Sequence, residues 1–368
     1  MVEPLYIPVM PARRGAVTAY VGLSPATREL IAPLWTLPPR TGPGRTRGVS
    51  TPPEREADGR ALNDWLTPRV DRLIEAMDGS RGWVDAAHVE AELNGSAIAL
   101  GRLATRSAMV LVTGPERDRA LQRYAADLAF LSGRGLAIRV GVDEPPDELS
   151  SAELLGLVDR LCLPPSQLDL LLDAGEVHDV AEAGKRSVIA LDLLGSLLPW
   201  RTVALTAGAF PRAAGTTGTA AAAGPERHDW ALRDWIRRAR PEQAPVYGDY
   251  SVEHALSANL ADDRFGRYGP PWGLLRYTGP GHFLVARVPT RGSHHADRVR
   301  AMARRIVADG AFRRSGPGRS AAEDWWEACA MSGTGGSGNP ETWIKVGHIQ
   351  HLTYVAQCLS GHGETAGT

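Results

Sequence analysis

Cysteine is scarce in this chain, and its cysteines do not stand in the spacings that disulfide frameworks or zinc sites use. The three cysteines, Cys162, Cys329 and Cys358, lie far apart and form no Cys-x-x-Cys pair. Small disulfide scaffolds contain an even set of cysteines, and structural zinc sites use short ligand spacings. The sequence therefore argues against both classes, and we predict neither a metal nor a cofactor.

Long apolar runs are absent as well. No run reaches the roughly 18 apolar residues that a membrane-spanning helix needs. The amino-terminal stretch MVEPLYIPVM lacks the basic start and long apolar core of a secretory signal. We therefore expect a cytoplasmic protein with no membrane partner.

An excess of charge of one sign is also missing, because 41 Lys and Arg residues face 42 Asp and Glu residues. A net charge of -1 gives no global field that attracts nucleic acid or an anionic membrane. A local basic groove is still compatible with this net charge. Lysine occurs only at Lys185 and Lys345, so arginine supplies almost all the positive charge. That bias is more typical of a GC-rich genome than of a function.

The short motifs that identify common enzyme classes do not occur. The chain has no GxxxxGK[ST] phosphate loop, no GxSxG nucleophile turn, no HExxH zinc motif, no EF-hand loop and no GxGxxG that opens a helix after a strand. Function must therefore be inferred from the fold and from where polar residues stand in it.

A regular alternation of short apolar runs and amphipathic segments extends from the amino terminus to about residue 250. Strands that are apolar on both faces and separated by helices form a parallel sheet buried on both sides. Eight such units predict an α/β fold of the (β/α)8 TIM-barrel type, with an open doubly wound sheet as the alternative. The predicted strands are 5–10, 31–37, 83–87, 109–113, 136–140, 168–173, 202–206 and 246–250.

The rest of the chain predicts additions to this barrel. Two apolar runs joined by Gly-Pro-Gly, 274–278 and 282–288, predict a β-hairpin, and helices are expected at 296–309, 321–331 and 345–359. We predict one domain over 1–368, with a core at 1–260 and a hairpin and helical region at 270–360. Segments near 38–59, 210–225 and 313–340 are rich in Gly, Pro, Ser or Ala and are predicted to be mobile loops.

The active site of a (β/α)8 barrel enzyme lies at the carboxyl ends of the strands. Asp85, Asp173 and Asp249 stand at three of these ends, and convergence there would allow general acid and base catalysis. Alternatively, each aspartate caps a helix or pairs with an arginine. Arg139 lies inside an apolar strand, so it either pairs with Asp173 or binds an anionic ligand through its guanidinium fork. Arg13 follows the first strand and is a second candidate for binding such a ligand.

Two later segments supply further candidates. In the hairpin, Arg276 and Tyr277 either hold an anionic ligand or form a solvated face. In the last helix, His348 and His351 follow Trp343 and stand three residues apart, on one helix face. That spacing suits a metal only with a third ligand from elsewhere, and packing histidines are commoner, so we predict no metal here.

The order of motifs resembles the Beta protein family, which takes its name from the middle gene of a three-gene cassette of satellite phages. The most specific stretches are W-R-x-V-x-L-x-x-G-x-F-P from Trp200, Y-G-D-Y from Tyr247, and the terminal W…G-x-x-x-H from Trp343. The resemblance spans nearly the whole chain. The family's terminal stretch tends to carry adjacent histidines, whereas this chain has Gln350 before His351.

The resemblance implies a barrel-like protein in a phage-defence gene cassette, where it accompanies a toxic partner, and it supplies no catalytic roles. It adds Arg201 to the candidates through the matching motif, and it supports Tyr250, which already stands at the end of the eighth predicted strand. The candidate catalytic residues are Asp85, Asp173, Asp249 and His351. The candidate binding residues are Arg13, Arg139, Arg201, Tyr250, Arg276, Tyr277, Trp343 and His348.

Two functions follow as hypotheses. The first is a defence component that binds a partner or a phage cue and controls a toxic effector protein. The alternative is a hydrolase or lyase that acts on an anionic small molecule or nucleic acid at the strand ends. The enzyme hypothesis predicts that Asp85, Asp173, Asp249 and Arg139 share one accessible pocket, with a perturbed carboxyl pKa. The binding hypothesis predicts an exposed apolar patch outside the barrel mouth.

Overall fold

A computed structural model describes residues 4–40, 55–90, 98–212, 224–257, 271–292, 294–331 and 336–361. Within these ranges, no helix combines the length and the apolar composition needed to cross a membrane.

Eight parallel strands close into a barrel in sequence order, so the predicted (β/α)8 fold is confirmed and the open sheet is excluded. β8 pairs with β1, and Tyr6 lies opposite Tyr247 in the register that closes the barrel. The second strand is shorter than predicted because Pro33 precedes it and has no N–H to donate to a sheet. The strands are β1 (Tyr6–Pro11), β2 (Leu34–Thr36), β3 (Gly82–Asp85), β4 (Met109–Thr113), β5 (Leu136–Gly141), β6 (Leu168–Glu176), β7 (Thr202–Gly208) and β8 (Val246–Asp249).

Helices connect these strands, and side chains cap several of them. Asp118 accepts a hydrogen bond at the start of α5, and Gly133 ends that helix in the left-handed conformation that glycine tolerates. Asp147 and Ser150 form a capping box at the start of α6. The helices are α1 (Arg14–Val21), α2 (Pro25–Leu30), α3 (Arg55–Met77), α4 (Ile98–Arg106), α5 (Arg119–Ser132), α6 (Glu148–Leu161), α7 (Val180–Ala190) and α8 (His228–Ala239).

The predicted hairpin and carboxyl-terminal helices follow the barrel. β9 (Trp272–Thr278) and β10 (Phe283–Pro289) pair antiparallel, with Thr278 opposite Phe283. They are followed by α9 (His295–Ala308), α10 (Ala321–Ala330) and α11 (Pro340–Leu359). α11 packs against β9 and α1, and most of its residues are buried. The last helix therefore covers the barrel beside the seam between β1 and β8.

The predicted mobile loops fall partly outside the described residues. The described residues do not include 41–54 of the first predicted loop, 213–223 of the second or 332–335 of the third. α3 begins at Arg55, inside the first predicted loop, and α10 lies within the third, as predicted. The single-domain organisation stays a prediction.

Successive side chains of a strand point to opposite faces, and this alternation decides what enters the barrel. The inner face carries an apolar cluster with Ile7, Val9, Trp83, Val112 and Leu171. Tyr250 belongs to the same inner cluster, whereas Tyr6 and Tyr247 belong to the outer one beneath the helices. The polar residues at the strand ends are sorted between two environments in the same way.

Candidate functional site at the barrel mouth

Four polar side chains meet at the carboxyl end of the barrel interior and bond to one another. From its Nη1, Arg139 donates to Oδ2 of Asp85 at 2.8 Å. From its Nη2, it donates to Oδ2 of Asp173 at 2.6 Å and to the Tyr250 hydroxyl at 2.7 Å. The hydroxyl donates in turn to Asp173 Oδ2 at 2.7 Å. We call this set of four residues the mouth network.

Residues of two loops and of β6 and β7 add partners to the two carboxylates. Arg117 Nη2 donates to Asp85 Oδ1 at 3.1 Å, and the N–H of Ala87 donates to the same oxygen at 2.9 Å. The N–H of Gly175 and the hydroxyl of Thr206 donate to Asp173 Oδ1 at 3.0 and 3.1 Å. All four carboxylate oxygens therefore accept at least one hydrogen bond.

Arg117 was not among the predicted site residues, although it reaches the mouth network and also pairs with Glu90 at 3.2 Å. It stands in the loop that follows the fourth strand, the same kind of position from which the other candidates were chosen. Its place after a strand end was therefore the signal that could have identified it.

The contacts fix the charge states of the mouth network. Burial alone raises the pKa of Asp85, but the positive charges of Arg139 and Arg117 outweigh it, so the pKa is lowered. For Asp173, burial is likewise outweighed by the charge of Arg139 and the Tyr250 hydrogen bond, and the pKa is lowered. Burial is the main reason that the pKa of Tyr250 is raised well above its ordinary value. At neutral pH, both aspartates are ionised and the phenol is neutral.

A cleft of about 770 Å³ lies above the mouth network, within the range of roughly 300–1,000 Å³ that is typical of small-molecule sites. Asp85, Arg139, Asp173 and Tyr250 are among its lining residues. Six further carboxylates line the cleft. One is Glu176, which pairs with His254 at 2.9 Å. We call the other five the acidic lip. They are Glu116, Asp143, Glu144, Asp147 and Glu153.

Asp249 lies outside this cleft, so the predicted convergence of three aspartates does not occur. It immediately precedes the inward-facing Tyr250, and the alternation of a strand therefore directs it to the outer face. There it accepts hydrogen bonds from the hydroxyls of Tyr6 and Tyr247, the second at 3.0 Å. His351 Nε2 lies 3.0 Å from Asp249 Oδ2. Asp249 and His351, which the sequence named as separate catalytic candidates, thus contact each other between β8 and α11, away from the mouth.

The neighbours of Asp249 in this outer site keep its carboxylate ionised. Burial raises the pKa of Asp249, but the contacts with His351 and the charge of Arg227 hold it at about 2. The other ring nitrogen of His351 lies 2.9 Å from the hydroxyl of Thr278 in β9. The site therefore joins the barrel, the hairpin and the last helix.

A third cluster joins the residues that follow β8 to β9 and α11. We call it the rim cluster, and it consists of Ser251, Glu253, Arg276 and His348. Ser251 Oγ lies 2.9 Å from His348 Nδ1, and Glu253 Oε1 lies 3.7 Å from His348 Nε2 and 4.0 Å from Arg276 Nη2. Burial raises the pKa of Glu253, but Arg276 and His348 hold it at about 2. Burial lowers the pKa of His348, so its imidazole is neutral at neutral pH. Two predicted binding residues therefore meet here, around a glutamate that sequence reasoning missed.

Arg13 and Arg201 lie at opposite ends of the barrel. Arg13 follows β1 at the mouth, and its Nη2 donates to the carbonyl oxygen of Ser257 at 3.2 Å. Arg201 precedes β7, at the amino end, and forms a two-pronged ion pair with the buried Asp169 at 2.7 and 2.6 Å. Trp83 and Arg81 also donate to Asp169, at 2.8 and 3.1 Å. Arg201 is therefore remote from the cleft, and its contacts are those of a packing residue.

Tyr277 and Trp343, two other predicted binding residues, are buried away from the cleft. Tyr277 donates to Glu323 Oε1 at 3.1 Å, and burial is the main reason that its pKa is raised. Trp343 Nε1 donates to the carbonyl oxygen of Ser337 at 2.8 Å. The Trp343 ring packs so closely on Gly273 that a Cβ atom there would lie 2.5 Å from it. Both aromatic residues fix the hairpin and the carboxyl-terminal helices to each other.

No group of three or more His, Cys, Asp or Glu side chains is arranged to hold a metal ion in the ranges that the structure describes. Comparison with curated proteins finds no match. The model of one protein family, described as Beta protein, matches residues 6–357, which is nearly the whole chain. This chain therefore belongs to the Beta protein family.

Proposed function

We propose that this protein is the recognition component of a phage-defence-type system, in which the mouth cleft binds a partner protein or a phage component and thereby controls a toxic effector. The defence context follows from the association of the Beta protein family with a phage-defence cassette. The binding role rests on the properties of the mouth network, so we assign recognition to the mouth cleft and not to the apolar patch outside the mouth that the sequence predicted.

The fixed charge states of the mouth network carry this proposal. A general acid or base needs a pKa near the working pH. Here the pKa values of Asp85 and Asp173 are lowered and that of Tyr250 is raised, so each group keeps one protonation state at neutral pH. Every carboxylate oxygen is already bonded, and Asp85 is 1% exposed. A rigid surface of this kind suits recognition, because little conformational entropy is lost when a partner binds.

The sign of the field favours a positively charged partner segment. The charges of Arg117 and Arg139 are matched by Asp85, Asp173 and Glu90. The acidic lip therefore sets the potential that an approaching ligand meets. We propose that the partner presents lysine or arginine side chains to the cleft, in preference to the anionic ligand that the arginines alone suggested.

The test is a phage challenge of cells that carry this gene together with its flanking genes. The lip variant combines Asp143→Asn, Glu144→Gln and Asp147→Asn, which remove three exposed charges; asparagine still caps α6. The control variant removes three exposed charges that do not line the cleft, with Asp127→Asn, Glu148→Gln and Asp159→Asn.

We expect the lip variant to lose at least tenfold in protection, measured as efficiency of plating, while the control variant protects like the wild type. Equal protection by both variants would exclude the cleft as the recognition site. Full protection from a cassette that lacks this gene would exclude the defence role altogether.

A hydrolase or lyase is the second candidate, and His88 favours it. His88 lines the cleft, and burial is the main reason that its pKa is lowered, so it offers a neutral imidazole base beside Asp85. The test measures hydrolysis of bis-p-nitrophenyl phosphate and p-nitrophenyl acetate by the wild type and by His88→Asn. Turnover that His88→Asn abolishes would support the enzyme, and absence of turnover of both would remove this support.

A further inference from the structure

A second cavity, of about 290 Å³, opens on the outside of the barrel, at the end opposite the mouth. Leu5 precedes β1 and Val246 begins β8, so the cavity lies over the amino ends of these two strands. Leu232 and Ile236 of α8 form one wall, and Leu359 at the end of α11 contributes to the other. We call this cavity the seam slot, because it follows the seam where β8 closes on β1.

The described elements around the seam explain why the seam slot exists. A regular barrel strand is followed by a helix that packs on its outer face. Among the described residues, the next element after β8 is the hairpin, and the seam is flanked by α8 on one side and by α11 on the other. α11 packs against α1 and β9. An uncovered apolar surface therefore lies between the end of α11 and α8. Leu5, which lines the slot, is 43% exposed.

Two arginines stand one helical turn apart at the opening of the seam slot. Both Arg233 and Arg237 of α8 line it. Burial lowers the pKa of Arg233, and the positive charge of Arg237 lowers it further. Arg233 donates to Asp234 at 2.8 Å and lies 4.3 Å from the Trp230 ring centroid. Arg237 is exposed and has no ion pair among the residues whose placement is described.

We propose that the seam slot binds an amphipathic monocarboxylate, with its hydrocarbon part between Leu232, Ile236 and Val246 and its carboxylate between the guanidinium groups of Arg233 and Arg237. A guanidinium fork matches a carboxylate, and an anion placed there relieves the repulsion between the two arginines. The volume lies near the lower end of small-molecule sites, so the slot takes a medium-length chain. This site is separate from the mouth cleft and independent of the proposed defence function.

The test is isothermal titration calorimetry of the full chain with octanoate, and with 1-octanol as the uncharged ligand of equal chain length. Arg237→Gln removes the exposed charge at the slot. Arg238→Gln is the matched control, because Arg238 is exposed on the same helix and does not line the slot. Leu5→Glu places a carboxylate in the slot at an exposed position and is the second variant.

We expect the wild type to bind one octanoate, with 1-octanol at least tenfold weaker. Arg237→Gln should weaken octanoate binding at least tenfold, Leu5→Glu should abolish it, and Arg238→Gln should leave it unchanged. No saturable binding of octanoate to the wild type would overturn the proposal. Equal binding by the two arginine variants, or equal affinity for octanol and octanoate, would also overturn it.

Discussion

His351 Nε2 lies 3.0 Å from the carboxylate of Asp249, and this contact connects α11, the last helix, to β8, the last strand of the barrel. Neither side chain is accessible, since His351 is 0% exposed and Asp249 1%. Thr278 of the hairpin and Tyr6 of the first strand bond to the same imidazole. A pair that sequence reasoning assigned to catalysis thus connects four elements of the fold.

His351→Ala should destabilise the protein by about 2–5 kcal/mol, because it removes one hydrogen-bond partner of the buried Asp249 and leaves a cavity between β8 and α11. Urea unfolding at pH 7 measures the loss. His178→Ala is the control, since His178 is exposed before α7 and its loss should cost less than about 0.5 kcal/mol. A similar small loss for both variants would show that the pair does not hold α11 in place.

Arg139→Met should give a loss of stability that depends on pH. In the wild type the pKa values of Asp85 and Asp173 are lowered in the folded state, so their pairing stabilises the protein above about pH 4. Without Arg139, burial is opposed by fewer contacts and the folded-state pKa values rise. The loss of about 3–5 kcal/mol at pH 7 should therefore shrink as the pH falls towards 4.

Urea unfolding at pH 7 and pH 4.5 checks this expectation. Arg139→Lys is the matched variant, because it keeps the charge at the mouth network and should lose less stability at pH 7. A loss that is the same at both pH values would mean that the two aspartates are not held ionised by Arg139.

His348 should make the folded state sensitive to mild acid. Its pKa is lowered mainly by burial, with Glu253 opposing and Arg276 and His351 adding to the effect. Between pH 6.5 and the lowered value the unfolded chain binds more protons, so stability falls as the pH falls through this window. His348→Asn should flatten that fall, whereas His178→Asn, at an exposed position, should leave it unchanged. Identical pH profiles for the two variants would contradict the assignment.

Two glycine-to-alanine substitutions should act in opposite directions. At Gly248 in β8, a Cβ atom would lie 2.6 Å from Thr206 Cγ2 and 2.7 Å from the carbonyl oxygen of Ile7. Gly248→Ala should therefore destabilise the barrel by about 1–3 kcal/mol. In α4, a Cβ at Gly101 meets only the Tyr124 hydroxyl, at 3.7 Å.

Gly101→Ala should stabilise by up to about 1 kcal/mol, because alanine favours a helix interior over glycine. Thermal unfolding of both variants tests the pair of predictions. A tolerated alanine at Gly248 would mean that the β7–β8–β1 seam is less tightly packed than the structure has it.

The sequence by itself determined the barrel. Eight apolar runs separated by helical segments can bury both faces of a parallel sheet in few ways, so fold class, hairpin and last helix followed from periodicity and turn residues. The sequence also placed Asp85, Asp173 and Arg139 at the same end of the barrel, because the carboxyl ends of parallel strands share one edge.

Only the tertiary structure decided which polar residues share an environment. Asp249 and Tyr250 are adjacent in sequence, yet the alternation of the strand and its exact register direct one to α11 and the other to the cleft. Arg201 and Asp169 meet at the amino end although 32 residues separate them, and Glu253 joins His348 through the packing of α11. The periodicity of apolar residues determines which helices and strands form. The closure of the barrel and the packing of its last helix determine which charged side chains contact each other.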